Sequence, residues 1–200
     1  GSAITDDGAC REASCREIVR RYFQAACHVK RTGDGQDAQA RLELLMKQAG
    51  VDADLLPARS AALLKAETTG APAGALELPD GTVVTGRTSD LLGAASSTLL
   101  NACKAVTGVD PDTPVIAEDA LEPICRLKTR FLHGHNPRLH SDETLIALSQ
   151  SSATDEVAAA VLEGLASLKG CDAFFSVILS EADESVYRKL GINVCCEPRY

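Results

Sequence analysis

The sequence predicts an α/β protein: a helical segment over residues 1–72, then an α/β layer structure over residues 73–200. Three observations support this. Apolar residues recur at the 3, 4, 7 spacing of a helix face through the first seventy positions. Beyond them, short apolar runs of strand length alternate with helical patterns. The chain has 200 residues, 45% hydrophobic and 24% charged, which is enough to enclose a sizeable core.

The elements follow in order. Cys15, Ile18, Val19, Tyr22, Phe23, Ala26 and Cys27 lie on one face of a helix over 9–31, and Gly33-Asp34-Gly35 breaks it. A second helix over 36–49 has Leu42, Leu45, Met46 and Ala49 on one side and Gly50 as its stop. A third follows Pro57 and ends near Gly70. The runs 75–78 and 82–85 flank Pro79-Asp80-Gly81 and read as a hairpin. A helix capped by Ser89 or Asp90 runs to 107. Residues 113–117 read as a strand and 118–130 as a helix whose Pro123 belongs in the first turn. After a polar loop, Ser141 and Thr154 each cap a helix. Residues 174–179 are an apolar strand, 183–190 a helix and 192–196 the last strand.

Composition narrows the function. A net charge of −8 opposes binding to a polyanion, and 4% aromatics with no Trp leave little for base stacking, so no nucleic-acid partner is expected. Arg11, Arg16, Arg20, Arg21, Lys30 and Arg31 read as the solvated face of the first helix. No apolar run approaches the roughly 18 residues of a membrane span, so no membrane partner is expected. No basic start leads into an apolar stretch, so no signal peptide is visible. The eight cysteines contain no Cys-x-x-Cys pair and read as reduced, structural thiols of a cytoplasmic protein.

Two stretches can carry chemistry, and a third place, Cys171/Asp172 with Cys195/Cys196/Glu197, would need a base beside a nucleophilic thiol that the sequence does not show and reads as structural cysteine. The first runs from Phe131 to Glu143. His133 and His135 are the weak metal candidates, because His-x-His on a strand turns both rings to one side. Arg138 presents a planar fork for a carboxylate or phosphate, and Asn136 lies beside it. His140 suits proton transfer near neutral pH, with Asp142 or Glu143 as its carboxylate; the alternative is that both acids simply complement a helix start. In the second stretch, Arg87, Thr88, Ser89 and Asp90 join a strand to a helix and can hold an anionic small molecule. The phosphate-loop spacing of Gly and Lys is missing there, and the reading it favours is a capped helix packed closely on the sheet through Gly93, Ala94 and Ala95. The set identifies no cofactor.

The same stretches carry a resemblance. Leu-Pro-Asp-Gly-Thr-Val-Val-Thr-Gly-Arg-Thr-Ser-Asp-Leu-Leu-Gly at 78–93, Asn-Pro-Arg-Leu-His-Ser-Asp-Glu-Thr-Leu-Ile-Ala-Leu-Ser at 136–149, Leu-Lys-Gly-Cys-Asp-Ala at 168–173 and Tyr-Arg-Lys-Leu-Gly-Ile-Asn-Val-Cys-Cys-Glu-Pro at 187–198 are similar to the C-terminal region of a bacterial family called domain of unknown function eighteen-forty-six. Residues 11–23 also fit. The resemblance implies a three-layer α/β/α sandwich with a mixed sheet after the helical segment, and assembly into homo-oligomers. It also implies deaminase-like layering without the deaminase zinc motif. Family members are longer, with an N-terminal half whose glycine-rich loop ends in lysine, so the chain is expected to be a fragment lacking that half. A histidine is expected where this sequence has Phe174.

Three functional expectations follow. The first is the C-terminal part of a larger cytoplasmic protein that shapes oligomer contacts and one wall of an anionic small-molecule site. The second is an enzyme acting on a phosphorylated or nucleotide-like substrate through His140 and Asp142 or Glu143. The third is a His-rich metal-binding module.

Overall fold

Strand ends and helix caps follow from local chemistry in the computed structural model, which describes residues 5–200. Helix α1 (Asp7–Thr32) starts where the Asp6 carboxylate accepts the Ala9 N–H, and ends at Gly33, whose φ of 74° is open to glycine. Helices α2 (Gln36–Ala49) and α3 (Pro57–Thr69) follow, the latter opened by proline. Strands β1 (Ala73–Glu77) and β2 (Val83–Arg87) form the expected hairpin. Then come α4 (Ala94–Thr107), α5 (Glu118–Arg126), α6 (Ser141–Ser151), α7 (Glu156–Glu163), β3 (Asp172–Phe175), α8 (Glu181–Lys189) and β4 (Asn193–Cys196).

The strands form one mixed sheet of order β2-β1-β3-β4. The inner pair β1–β3 is antiparallel, with Ala75 opposite Phe174, and β3–β4 is parallel, with Phe174 in register with Cys195. Because side chains alternate along a strand, each strand feeds two cores. Ala75, Phe174 and Cys195 face Val19, Phe23, Met46, Leu56, Ala58 and Ala62 of the N-terminal helices. Leu76, Ala173, Phe175 and Cys196 face Leu99, Cys103, Leu148, Val161 and Tyr187 on the other side. The architecture is therefore α/β, and helices α1–α3 supply one of the two helical layers.

Several local expectations are corrected. Gly93, not Ser89 or Asp90, occupies the cap position of α4, because Ser89 organises a separate loop before it. Residues 113–117 form no strand: the Ala117 N–H donates to the Ser151 hydroxyl at 2.9 Å, so that backbone is satisfied by a helix side chain. Pro123 lies inside α5, beyond its first turn. The Asp119 carbonyl, which a proline at 123 leaves without its helical N–H partner, belongs to an exposed residue. His140 and Asp155, not Ser141 and Thr154, hold the cap positions of α6 and α7. Strand β3 stops at Phe175, and Ile178 and Leu179 pack as loop residues. No helix among the described residues is long and apolar enough to cross a membrane.

Candidate functional site

The two stretches singled out in the sequence meet. At the end of β2 the Thr88 N–H donates to the Pro72 carbonyl at 2.7 Å, fixing this strand end beside the start of β1. Ser89 then closes a loop, its hydroxyl accepting the Leu92 N–H at 3.0 Å, with Asp90 at the exposed tip. Leu92 pairs with Leu139 in an isolated parallel bridge. The Leu139 N–H donates to the Leu91 carbonyl at 2.8 Å, and the Leu139 carbonyl accepts the buried Ser96 hydroxyl at 2.9 Å. Arg138 closes the junction: its Nε donates to the Ser89 carbonyl at 2.8 Å. The Nη groups of Arg138 make no hydrogen bond among the described residues, so the charged fork stays available. The Asn136 carboxamide accepts the Arg138 N–H at 3.1 Å and shapes the turn before it.

His140 follows directly. Its Nδ1 lies 3.0 Å from Oδ2 of Asp183, at the start of α8. Asp183 is the carboxylate on this ring, rather than Asp142 or Glu143. Its Oδ1 accepts the Ser141 N–H and the Ser141 hydroxyl, each at 2.8 Å, and its Oδ2 accepts the Ser180 hydroxyl at 2.7 Å. Burial opposes charge on Asp183, yet the bonds from His140, Ser141 and Ser180 outweigh it and hold the carboxyl below its ordinary range. An ionised carboxylate only accepts, so the proton on Nδ1 is assigned to the His140 side of this contact. That leaves Nε2, which has no partner among the described residues, to take or give a proton. The His140 side chain is 48% exposed while that of Asp183 is 11% exposed, so the buried acid orients an accessible ring.

The other two acids serve the helix start. Oε2 of Glu143 accepts the His140 N–H at 2.8 Å and the Lys128 ammonium at 2.7 Å. Lys128 also donates to the Arg138 carbonyl. Asp142 is exposed, and its Oδ1 accepts the Glu143 N–H at 2.9 Å. His133 and His135 lie in an exposed loop rather than a strand, with His133 at a φ of 55°. Among the described residues no group of three His, Cys, Asp or Glu is placed to hold a metal ion.

Arg87 and Ser89 also line a cleft of about 360 Å³ between α3, β2 and α4. Its other polar walls are Lys65, Thr85, Ser97, Asn101 and the largely buried Lys104; no carboxylate is among them, while Asp110 and Asp112 lie near the Lys104 ammonium. The Arg87 guanidinium donates to the Thr88 carbonyl at 3.2 Å, and the Lys104 ammonium to the Pro111 carbonyl at 2.7 Å.

Sequence reasoning missed Asp183, Ser180 and the ligating role of Ser141. Ser180 reads as an ordinary helix cap, and its hydroxyl does accept the Asp183 N–H at 3.2 Å. Nothing local indicates that Asp183 also meets residues more than forty positions earlier.

A second polar cluster corrects the reading of the α1 cations for Arg16 and Arg20, while Arg11, Arg21, Lys30 and Arg31 are exposed as expected. Arg16 reaches Glu77 at 2.9 and 3.0 Å and Asp172 at 2.9 Å. Arg20 holds Asp172 through two bonds of 2.7 and 2.8 Å. The four side chains are only 7–20% exposed. The hint was their i, i+4 spacing beside the apolar stripe of Val19 and Phe23. The cysteines are all free, as expected. Burial pushes the thiols up, to about 11 for Cys27 and about 12 for Cys103 and Cys196, so these are poor nucleophiles. Phe174, where the resemblance led us to expect histidine, is fully buried in an edge-on contact with Phe23, ring centroids 4.8 Å apart.

Comparison with known proteins agrees with the resemblance. Residues 54–200 match the family model described as Domain of unknown function DUF1846, C-terminal, and residues 1–50 match that described as Domain of unknown function DUF1846, N-terminal. The UPF0371 protein of Corynebacterium glutamicum is 45% identical over 200 residues, covering 100% of this chain and 40% of that protein. The UPF0371 protein of Corynebacterium aurimucosum is 46% identical over 198 residues, 99% of this chain and 40% of the relative. A UPF0371 protein of Streptococcus thermophilus is 44% identical over 200 residues, with the same 40% share. The chain thus spans two-fifths of the length of these relatives, and it belongs to the DUF1846 family of bacterial proteins.

Proposed function

We propose that this region forms one wall of an anionic small-molecule site in a larger cytoplasmic protein. Arg87, Ser89 and the neighbouring cations bind the anion, and His140 moves a proton. Asp183 serves as its positioning residue. The observation that carries this reading is the Arg138–Ser89 hydrogen bond of 2.8 Å, because it couples the carboxylate-free cleft to the turn bearing His140. The location is chemically apt: α8 follows β3, so Ser180 and Asp183 lie beyond the carboxyl end of a strand, where open α/β sheets bind ligands. An anion there gains charge-assisted hydrogen bonds without having to displace an acidic partner.

The test is a melting experiment on the full-length protein with inorganic phosphate, pyrophosphate and nucleoside monophosphates. At least one is expected to raise the melting temperature, Arg87→Ala to remove that rise, and His140→Ala to preserve it while removing any associated turnover. No response to any of these anions, or an equal response in Arg87→Ala, would overturn the reading.

A second role, in contacts between copies, rests on a different observation. Leu127, Phe131 and Leu132 are 50%, 60% and 67% exposed along one short segment, an unusual concentration of apolar surface. Light scattering of the full-length protein is expected to report an oligomer that Leu132→Asp weakens; an unchanged assembly removes this surface from the role.

A further inference from the structure

We infer that the outward side of α2, around Leu44 and Leu45, is the surface on which the remainder of the N-terminal family domain packs. Helix α1 joins the two family regions: its residues lie in the N-terminal match, while its inner side is bound to strands of the C-terminal match. That interface is extensive. Arg16 and Arg20 hold Glu77 and Asp172, Phe23 stacks edge-on against Phe174, and Arg31 meets Glu184 at 2.9 Å. The outer side of the same region has far less cover. Of the fourteen residues of α2, only Met46 is buried, whereas Leu44 is 55% and Leu45 45% exposed.

Three observations identify the occupant. Residues 1–50 match a model of an N-terminal domain, and the relatives are longer than this chain, which covers 40% of them. Helices α1 and α2 are thus the closing elements of a domain whose other elements lie upstream in those relatives. Helix α2 also packs directly on α1, whose inner side carries the interface already described. Finally, the chain exposes 11017 Å², about 2,000 Å² more than surface scaling gives for a compact 21.0 kDa protein. The first two turns of α1, Asp7–Ser14, are exposed throughout and contribute to that excess. Charge argues for apolar packing rather than a charged ligand, because Asp37 and Glu43 on α2 are balanced by Arg41 and Lys47.

The test compares the 200-residue chain with the full-length protein carrying the upstream region of its relatives. Glutamine preserves helix propensity, so Leu44→Gln/Leu45→Gln is expected to shift the melting temperature of the short chain by less than about 2 °C. In the full-length protein the same change is expected to lower it by about 5 °C or more, through loss of buried apolar contact. Hydrogen exchange of unsubstituted protein gives a readout that does not depend on a variant folding: amides 36–49 are expected to exchange at least about tenfold more slowly in the full-length protein. Equal exchange in the two forms overturns the inference. So does a dimer of the short chain that the double substitution dissociates, since a second copy would then be the occupant. These readouts do not involve the anion site, so either proposal can fail alone.

Discussion

Asp183 illustrates how one buried carboxylate organises a surface histidine. It takes four hydrogen bonds from three residues, and two of them, the Ser141 N–H and hydroxyl, fix the first residue of α6. Asp183→Ala would leave that buried N–H without an acceptor and is expected to lower stability by about 2–3 kcal/mol in urea unfolding, whereas His140→Ala is expected to change it by less than about 1 kcal/mol. The acid limb follows from the same geometry. Because the folded-state value of Asp183 lies below its ordinary value, its contribution is complete above about pH 3.9 and is lost as pH falls below that through the folded value. Asp183→Asn should flatten the part of the stability profile below about pH 4; an unchanged acid limb would remove the carboxylate from this role. The cysteines offer a separate check. Alkylation of native protein at neutral pH is expected to label exposed Cys10, and to spare Cys27, Cys103, Cys195 and Cys196 until unfolding, as read by peptide mass spectrometry.

At the scale of elements, close approach and charge pairing hold the layers on the sheet. A Cβ on Gly86 would lie 2.3 Å from the Thr98 backbone nitrogen, so strand β2 and helix α4 touch through a position only glycine can fill. Gly86→Ala is expected to cost about 3 kcal/mol by forcing these elements apart, and thereby to disturb the cleft beside Arg87; a neutral substitution would mean that the helix yields freely. On the opposite layer, Asp172 receives both Arg16 and Arg20 while only 7% exposed. Asp172→Ala leaves Arg20 with Glu17 alone, at 3.3 Å, while Arg16 keeps Glu77, and is expected to cost about 2 kcal/mol. The Asp172→Ala/Arg20→Met double variant should lose less than the sum of the single changes, because one unpaired charge is removed with its partner. Additive losses would show that the pair contributes no coupling.

At the scale of the whole molecule, function depends on how far apart in sequence its neighbours are. Most helices were legible because their apolar spacing and glycine stops are local: α1, α2 and α3 begin and end within a few residues of expectation. The hairpin was legible for the same reason, with Pro79-Asp80-Gly81 between two short apolar runs. Cap positions were less secure: Ser141 and Thr154 resemble caps but the adjacent His140 and Asp155 take the positions, and Ser89 yields to Gly93, four residues on. What the sequence by itself determined was the alternation of helices and strands, the reduced character of the thiols, the family, and the candidates Arg138, His140, Arg87 and Ser89. What only the tertiary structure decided was pairing over long separations. It brought Arg138 to Ser89, Asp183 to His140, Arg16 and Arg20 into a half-buried ion cluster, and made the N-terminal helices a layer of the sandwich. The physical reason is that a helix face or turn is encoded by residues a few positions apart. The acceptor for a guanidinium or an imidazole is set by packing, which leaves no periodic trace along the chain.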